Sequence, residues 1–155
     1  MPTLTTCLWF DGQALDAAEF YVSIFPNSEI TSAWRPADDV PPVTVTWTLD
    51  GVPFMAINGG PQFPHSEAYS VFLGCDDQAE ADHFWEQLLQ DGGEPSRCGW
   101  LKDRFGISWQ VVPAGLQDLL ADPDPARAAA AHAAMMDMSR LDLAAMRVAA
   151  DAASS

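Results

Sequence analysis

Three histidines, three cysteines, one short cationic cluster and six tryptophans carry most of the chemistry this chain could perform. His65 stands in a stretch without helical or strand periodicity. An imidazole there could serve as a general base or hold a ligand, but spacing places no carboxylate partner beside it. His83 and His132 fall in helical stretches, where a solvated imidazole is the ordinary reading. Cys7, Cys75 and Cys98 are odd in number, far apart and without a CxxC pair. That pattern argues against a disulfide framework or a zinc knuckle, and leaves thiols acting as small hydrophobes. Glu80, Asp82, Glu86 and Asp91 make an acidic helix face suited to solvent. Asp11 and Asp103 stand at turns, where carboxylates cap backbone amides. Lys102-Asp103-Arg104 reads as a hairpin turn with some capacity to bind an anion. Most of Trp9, Trp34, Trp47, Trp85, Trp100 and Trp109 are needed for the core, because aromatic rings bury large areas.

Charge narrows the partners. The 155-residue chain has 22 acidic against 7 basic residues, a net charge of −15. Such a field repels phosphate backbones and anionic membranes. No basic stripe with interleaved aromatics is present, so nucleic acid is not an expected partner. A hydrophobic share of 48% with 19% charged residues suits one globular domain rather than disorder. Apolar runs are short, so no membrane span is expected. The first residues lack a basic region followed by an apolar core, so the expected location is the cytoplasm.

The elements that would position these groups follow from periodicity. Val43, Val45, Trp47 and Leu49 alternate with threonines, which is a strand. Asp50-Gly51 turns it into a second strand over 52–57, and Asn58-Gly-Gly-Pro61 stops that one. A β-rich run over 3–10 breaks at Asp11-Gly12. Ala14, Ala17, Ala18, Tyr21 and Phe25 then recur at helical spacing, and Pro26-Asn27-Ser28 ends the helix. A strand over 68–75 leads to a helix over 78–90 with Phe84, Trp85 and Leu88 on or near its buried side, terminated by Asp91-Gly-Gly93. Two further strands are expected at 94–101 and 107–112, joined through Asp103-Arg-Phe-Gly106.

The two halves match in order. Gln13-Ala14 and Gln78-Ala79 each follow a strand, and Phe20-Tyr21 and Phe84-Trp85 sit in the helices. Trp34 and Trp100 are expected in comparable strands, and Gly51 and Gly106 precede the last strand of each half. The order strand, helix, then about three strands occurs twice. The tail differs. Asp122-Pro-Asp-Pro125 supplies a cap and a first-turn proline for an alanine-rich helix over 126–138, and Ser139 is a candidate cap for another through residue 152. Leu116, Leu119, Leu120, Met135, Met136, Leu141, Leu143 and Met146 need a surface to pack on, either the domain's own sheet or a partner subunit.

A duplicated βαβββ unit resembles the vicinal-oxygen-chelate (glyoxalase, bleomycin-resistance and dioxygenase) superfamily. More narrowly, the chain is similar to its PhnB-like branch, often labelled a 3-demethylubiquinone-9 3-methyltransferase domain. The resemblance rests on Cys7-Leu-Trp-Phe-Asp-Gly-Gln13, Phe20-Tyr21, Phe25-Pro26, Asn58-Gly-Gly-Pro61, the 98–113 block Cys-Gly-Trp-Leu-Lys-Asp-Arg-Phe-Gly-Ile-Ser-Trp-Gln-Val-Val-Pro, and Asp122-Pro-Asp-Pro125. It implies an α+β fold. Two modules over about 1–60 and 66–113 would form a curved mixed-sheet cup within residues 1–113, and residues 114–155 would form a C-terminal helical extension. Pro64-His65-Ser66 departs from the aromatic-Asn pair that relatives tend to carry.

In metal-using relatives, the first and fourth strands of each module supply a four-residue site for a divalent ion. Carried onto this sequence by counting, those positions are Thr6, Met55, Ser70 and Gln110. A hydroxyl, a thioether and a carboxamide bring no charge to offset an ion's dehydration, so neither a metal nor any other cofactor is expected. His65 would lie near the cavity mouth, because 58–67 links the modules. Trp47, Phe72 and Trp100 are candidates for an apolar wall. No glycine-rich strand-to-helix turn of the type that binds S-adenosylmethionine is present, so the methyltransferase label finds no matching chemistry. The expected function is metal-independent binding of an apolar or aromatic small molecule by a homodimer, as resistance proteins of the superfamily do. The alternative is a metal-free lyase- or isomerase-like enzyme using Gln110, Ser70 and His65.

Overall fold

A computed structural model describes residues 1–154 and divides the chain into two compact units, Met1–His65 and Ser66–Ser155. The first contains β1 (Thr6–Phe10), α1 (Ala14–Ile24), β2 (Glu29–Trp34), β3 (Thr44–Leu49) and β4 (Val52–Asn58). Its sheet has the order β1-β4-β3-β2, with β1 parallel to β4 and the other pairs antiparallel. Period-two alternation is realised in β3: Val45, Trp47 and Leu49 are buried, while Thr44, Thr46 and Thr48 are half-buried. Asp50 and Gly51 both take positive φ, 46° and 77°, as a two-residue hairpin of matching twist requires. Leu8, Phe10, Phe54 and Ala56 share the buried face with Ala14, Ala17, Ala18 and Tyr21 of α1. Trp47 stacks between Tyr21 and Phe54, at ring separations of 6.2 and 5.8 Å. Burying side chains of this size stabilises the unit by about 1.5–3 kcal/mol each.

The second unit repeats the plan. It holds β5 (Ser70–Cys75), α2 (Gln78–Leu88), β6 (Glu94–Pro95), β7 (Trp100–Lys102) and β8 (Ser108–Pro113) in the order β5-β8-β7-β6. Again the first strand is parallel to the fourth. Each module thus carries its own four-stranded mixed sheet, in keeping with the α+β plan of two βαβββ modules that the sequence suggests.

Three local expectations are corrected. The single strand expected over 94–101 is two short ones, because Cys98 and Gly99 take φ of 55° and 84° and turn the chain between them. Ser96 N–H donates to Trp100 O and Trp100 N–H to Arg97 O, closing that turn. Consequently Trp100 opens the third strand of its unit, whereas Trp34 ends the second strand of the other, and the two are not counterparts. Ser139 does not cap the last helix; its hydroxyl donates to Ser96 O, and Asp142 caps α5 (Leu143–Ala153) by accepting from Ala145 N–H.

The leucines of the tail pack mainly on one another. Leu116 and Leu119 of α3 (Leu116–Leu120), Ala131 of α4 (Pro125–Met136) and Leu141, Leu143 and Met146 form a buried cluster with Val112 of β8 at its edge. Asp124 caps α4 ahead of Pro125, as the sequence suggests. Gln78 ties this cluster to the head of α2, donating to Leu141 O at 2.7 Å and accepting from Leu143 N–H at 2.9 Å.

Candidate ligand-binding face

In the second unit the strand registers place two transverse rows of side chains on the sheet face opposite α2. Ser70, Ser108, Lys102 and Glu94 form the first row across β5, β8, β7 and β6. Phe72, Gln110 and Trp100 form the second. Alternation explains the choice of face: Trp109, Val111 and Leu101, the intervening residues, are buried toward α2. Gln110 Nε2 donates to Ser70 Oγ at 2.9 Å and so links the rows. Phe72 is 60% exposed, an unusual position for a phenyl ring in a strand.

The first row is strongly polar. Lys102 Nζ lies 2.6 Å from Glu67 Oε1. That hydrogen bond, more than any other influence, holds the Glu67 carboxyl below its ordinary range and the Lys102 ammonium above its own. Glu94 is exposed and has no salt-bridge partner among the described residues. Ser108 is only 2% exposed, and its hydroxyl has no hydrogen-bond partner among the described residues. These groups line a cavity of about 130 Å³ walled by Trp100. Beyond the second row, Phe72, Val112 and Leu116 line a groove of about 340 Å³.

The turn that sets this register is built on Asp103, itself 3% exposed. Its carboxylate accepts from Phe105 N–H, Ile107 N–H and the Trp109 indole N–H, at 2.9, 3.1 and 2.9 Å. Asp103 is thus a cap, as its place at a turn suggests.

The structure therefore gathers four of the residues singled out in the sequence, Ser70, Phe72, Trp100 and Gln110, on one face. It places four others differently, all in the first unit. Met55 is half-buried in a row with Cys7, Thr46 and Ser32 on the sheet face away from α1. Thr6 pairs with Phe54 and shares the parity of Leu8 and Phe10, so it belongs to the helix side. The connection from β1 to α1 holds three residues, 11–13, and that from β5 to α2 holds two, 76–77. This extra residue displaces a count made backward from the helix by one and turns the side chain to the opposite face. Trp47, 1% exposed, is a core residue and not a cavity wall. His65 Nε2 donates to Trp9 O at 2.6 Å and its ring lies 5.3 Å from Phe10, so Nε2 is engaged in holding the end of β1.

Of the residues on this face, sequence reasoning passed over Ser108 and met Lys102 only as part of a cationic turn. Their signal was present: Ser108 and Gln110 alternate with Trp109 and Val111, and a short turn through Gly106 brings Lys102 opposite Ser108.

Two βαβββ units, each with its first strand parallel to its fourth, define a glyoxalase-like protein of the vicinal-oxygen-chelate architecture. Residues 2–112 match the family model of 3-demethylubiquinone-9 3-methyltransferase. The Bacillus cereus PhnB protein is 32% identical over 73% of this chain and 100% of its own, with a TM-score of 0.67. A Pseudomonas aeruginosa protein is 22% identical, covering 73% of this chain and 98% of its own, with a TM-score of 0.59. A glyoxalase/bleomycin resistance protein from Albidiferax ferrireducens is 12% identical, covering 68% and 92%, with a TM-score of 0.48. No protein of curated function matches. The chain belongs to the 3-demethylubiquinone-9 3-methyltransferase, or PhnB-like, family. Among its described residues no helix is long and apolar enough to cross a membrane.

Proposed function

We propose that this protein binds an apolar or aromatic small molecule, without metal, on the face of the second unit formed by Phe72, Gln110 and Trp100. The observation that carries this reading is a phenyl ring, 60% exposed, in register with a carboxamide and an indole on one strand row. Ligand sites of this kind combine aromatic walls with a few placed polar groups. The donor chemistry supports metal independence. Ser70 and Gln110 hydrogen-bond one another, and neither they nor Met55 supplies charge or imidazole to a hard cation. Nor does either strand-to-helix turn suit S-adenosylmethionine. Asp11-Gly12-Gln13 and Asp76-Asp77 are short and acidic, and the head of α2 is already capped by Asp77.

A homodimer is part of the same proposal. Each four-stranded sheet ends in an outer strand, β1 or β5, with no second neighbour in its own sheet, and strand edges of that kind are commonly covered by association. Three unpaired thiols suit a reducing, cytoplasmic setting.

Titrating an aromatic ligand library against the intrinsic tryptophan fluorescence of metal-stripped protein tests the reading. Saturable quenching with no chemical change in the ligand supports it, and quenching that appears only after a divalent ion is restored refutes metal independence. Turnover in the presence of chelator would instead favour a metal-free lyase- or isomerase-like enzyme. Light scattering coupled to size exclusion decides the dimer, which a monomer mass at micromolar concentration would exclude.

A further inference from the structure

We propose that the ligand of this face carries an ammonium group, seated against Ser108, Glu94 and the Trp100 ring, with its apolar body directed along Gln110 toward Phe72. The inference rests on the reading above and adds the chemistry of the ligand's polar end.

The orphaned hydroxyl is the first argument. Ser108 lies in the middle of the polar row, 2% exposed, and its oxygen has no partner among the described residues. Burying a hydroxyl without a hydrogen bond is costly, so a buried orphan at a cavity wall calls for a group to complete it. An N–H donor would do so.

Charge decides which kind of group that is. Two carboxylates, Glu67 and Glu94, and one ammonium, Lys102, line the cavity. Lys102 pairs with Glu67 at 2.6 Å and stands across the strands from Glu94, so one ammonium faces two carboxylates and the row keeps one net negative charge. Glu94 and Lys102 are cross-strand neighbours, and Lys102 is the cross-strand neighbour of Ser108, so all three stand in one row. An anion entering here would meet a local excess of negative charge on a chain whose net charge is −15. A cation is drawn by both, and the Trp100 ring adds the attraction of an aromatic face for an ammonium.

Dimensions match an amphiphile. The polar cavity of about 130 Å³ suits a head group, while the groove of about 340 Å³ at Phe72, Val112 and Leu116 is larger and more apolar. The two rows are separated by two residues along the strands, roughly 6.5 Å, a span an arylalkyl chain covers.

Isothermal titration with three probes of one skeleton tests this: phenethylammonium, 2-phenylethanol and 3-phenylpropionate. The amine is expected to bind about tenfold or more tightly than the alcohol, with the carboxylate weakest. Glu94→Gln should reduce amine affinity about tenfold and remove the preference for amine over alcohol, and Ser108→Ala should weaken amine binding about fivefold. Glu94 is exposed, so its variant reads the charge effect without disturbing the core. Carboxylate binding equal to or tighter than amine binding overturns the inference and points to Lys102 releasing Glu67 to take an anion. Alcohol and amine bound equally well overturns it too, while leaving the small-molecule reading standing. Failure of all three probes removes both.

Discussion

Asp103 Oδ2 accepts the indole N–H of Trp109 at 2.9 Å, so a buried carboxylate at the β7–β8 turn holds a buried ring in the strand that follows. Its other oxygen takes the backbone N–H of Phe105 and Ile107. Three donors converge on one side chain and fix how β7 meets β8. The same register brings Lys102 opposite Ser108 and Trp100 opposite Gln110. The turn is thus a positioning device for the proposed ligand face.

Removing that side chain leaves three donors without their acceptor. Asp103→Ala is expected to destabilise the fold by about 3 kcal/mol or more, since buried groups that lose a charged partner forfeit their desolvation cost as well. Chemical denaturation would measure it, and a change under about 1 kcal/mol would show that the turn holds without its carboxylate.

Ser108 predicts the opposite sign. Its hydroxyl is buried without a partner, so Ser108→Ala should stabilise the unliganded protein by about 1 kcal/mol. A lower melting temperature for this variant would mean that the hydroxyl is satisfied in solution.

Gln78 pins the tail. It donates to Leu141 O and accepts from Leu143 N–H. Gln78→Ala should cost about 1–2 kcal/mol and raise amide exchange at Leu143 more than at Trp109, whose strand is paired on both sides. Unchanged protection at Leu143 would contradict this anchoring role.

Cys75 links pH to stability. Burial foremost, then the carboxylates of Glu80, Asp76 and Asp77, raise its thiol from 9.0 to about 11. In the unfolded chain the thiol loses its proton near the ordinary value, while the folded protein still retains it. The folded state therefore binds more protons between pH 9 and about 11, and stability falls as pH rises through that window. Cys75→Ala should flatten this dependence. Cys7 is exposed, so at pH 8 a thiol reagent should modify it well before Cys75. Equal rates at the two thiols would show that Cys75 is not sheltered.

Much of this was legible because strands write their two faces into the sequence. The threonine alternation of β3, the Asp50-Gly51 turn and the repeated helix aromatics announce a duplicated α+β plan from local chemistry alone. Counting forward four residues from Gly51 and Gly106 reached Met55 and Gln110, both on sheet faces away from the helices. Counting back from the helix failed at Thr6, because one extra residue in the β1–α1 connection reverses which face a side chain takes.

What the linear chain determined, then, is periodicity: where strands and helices run, and which side chains alternate with which. Only the tertiary structure decided register and pairing across distance. It buried Trp47 while leaving Phe72 open, joined Lys102 to Glu67, and left the Ser108 hydroxyl unsatisfied. The physical reason is that alternation is a local property of the pleated backbone. Which faces are covered, and which polar atoms meet, depends on turn lengths and on elements far apart in sequence.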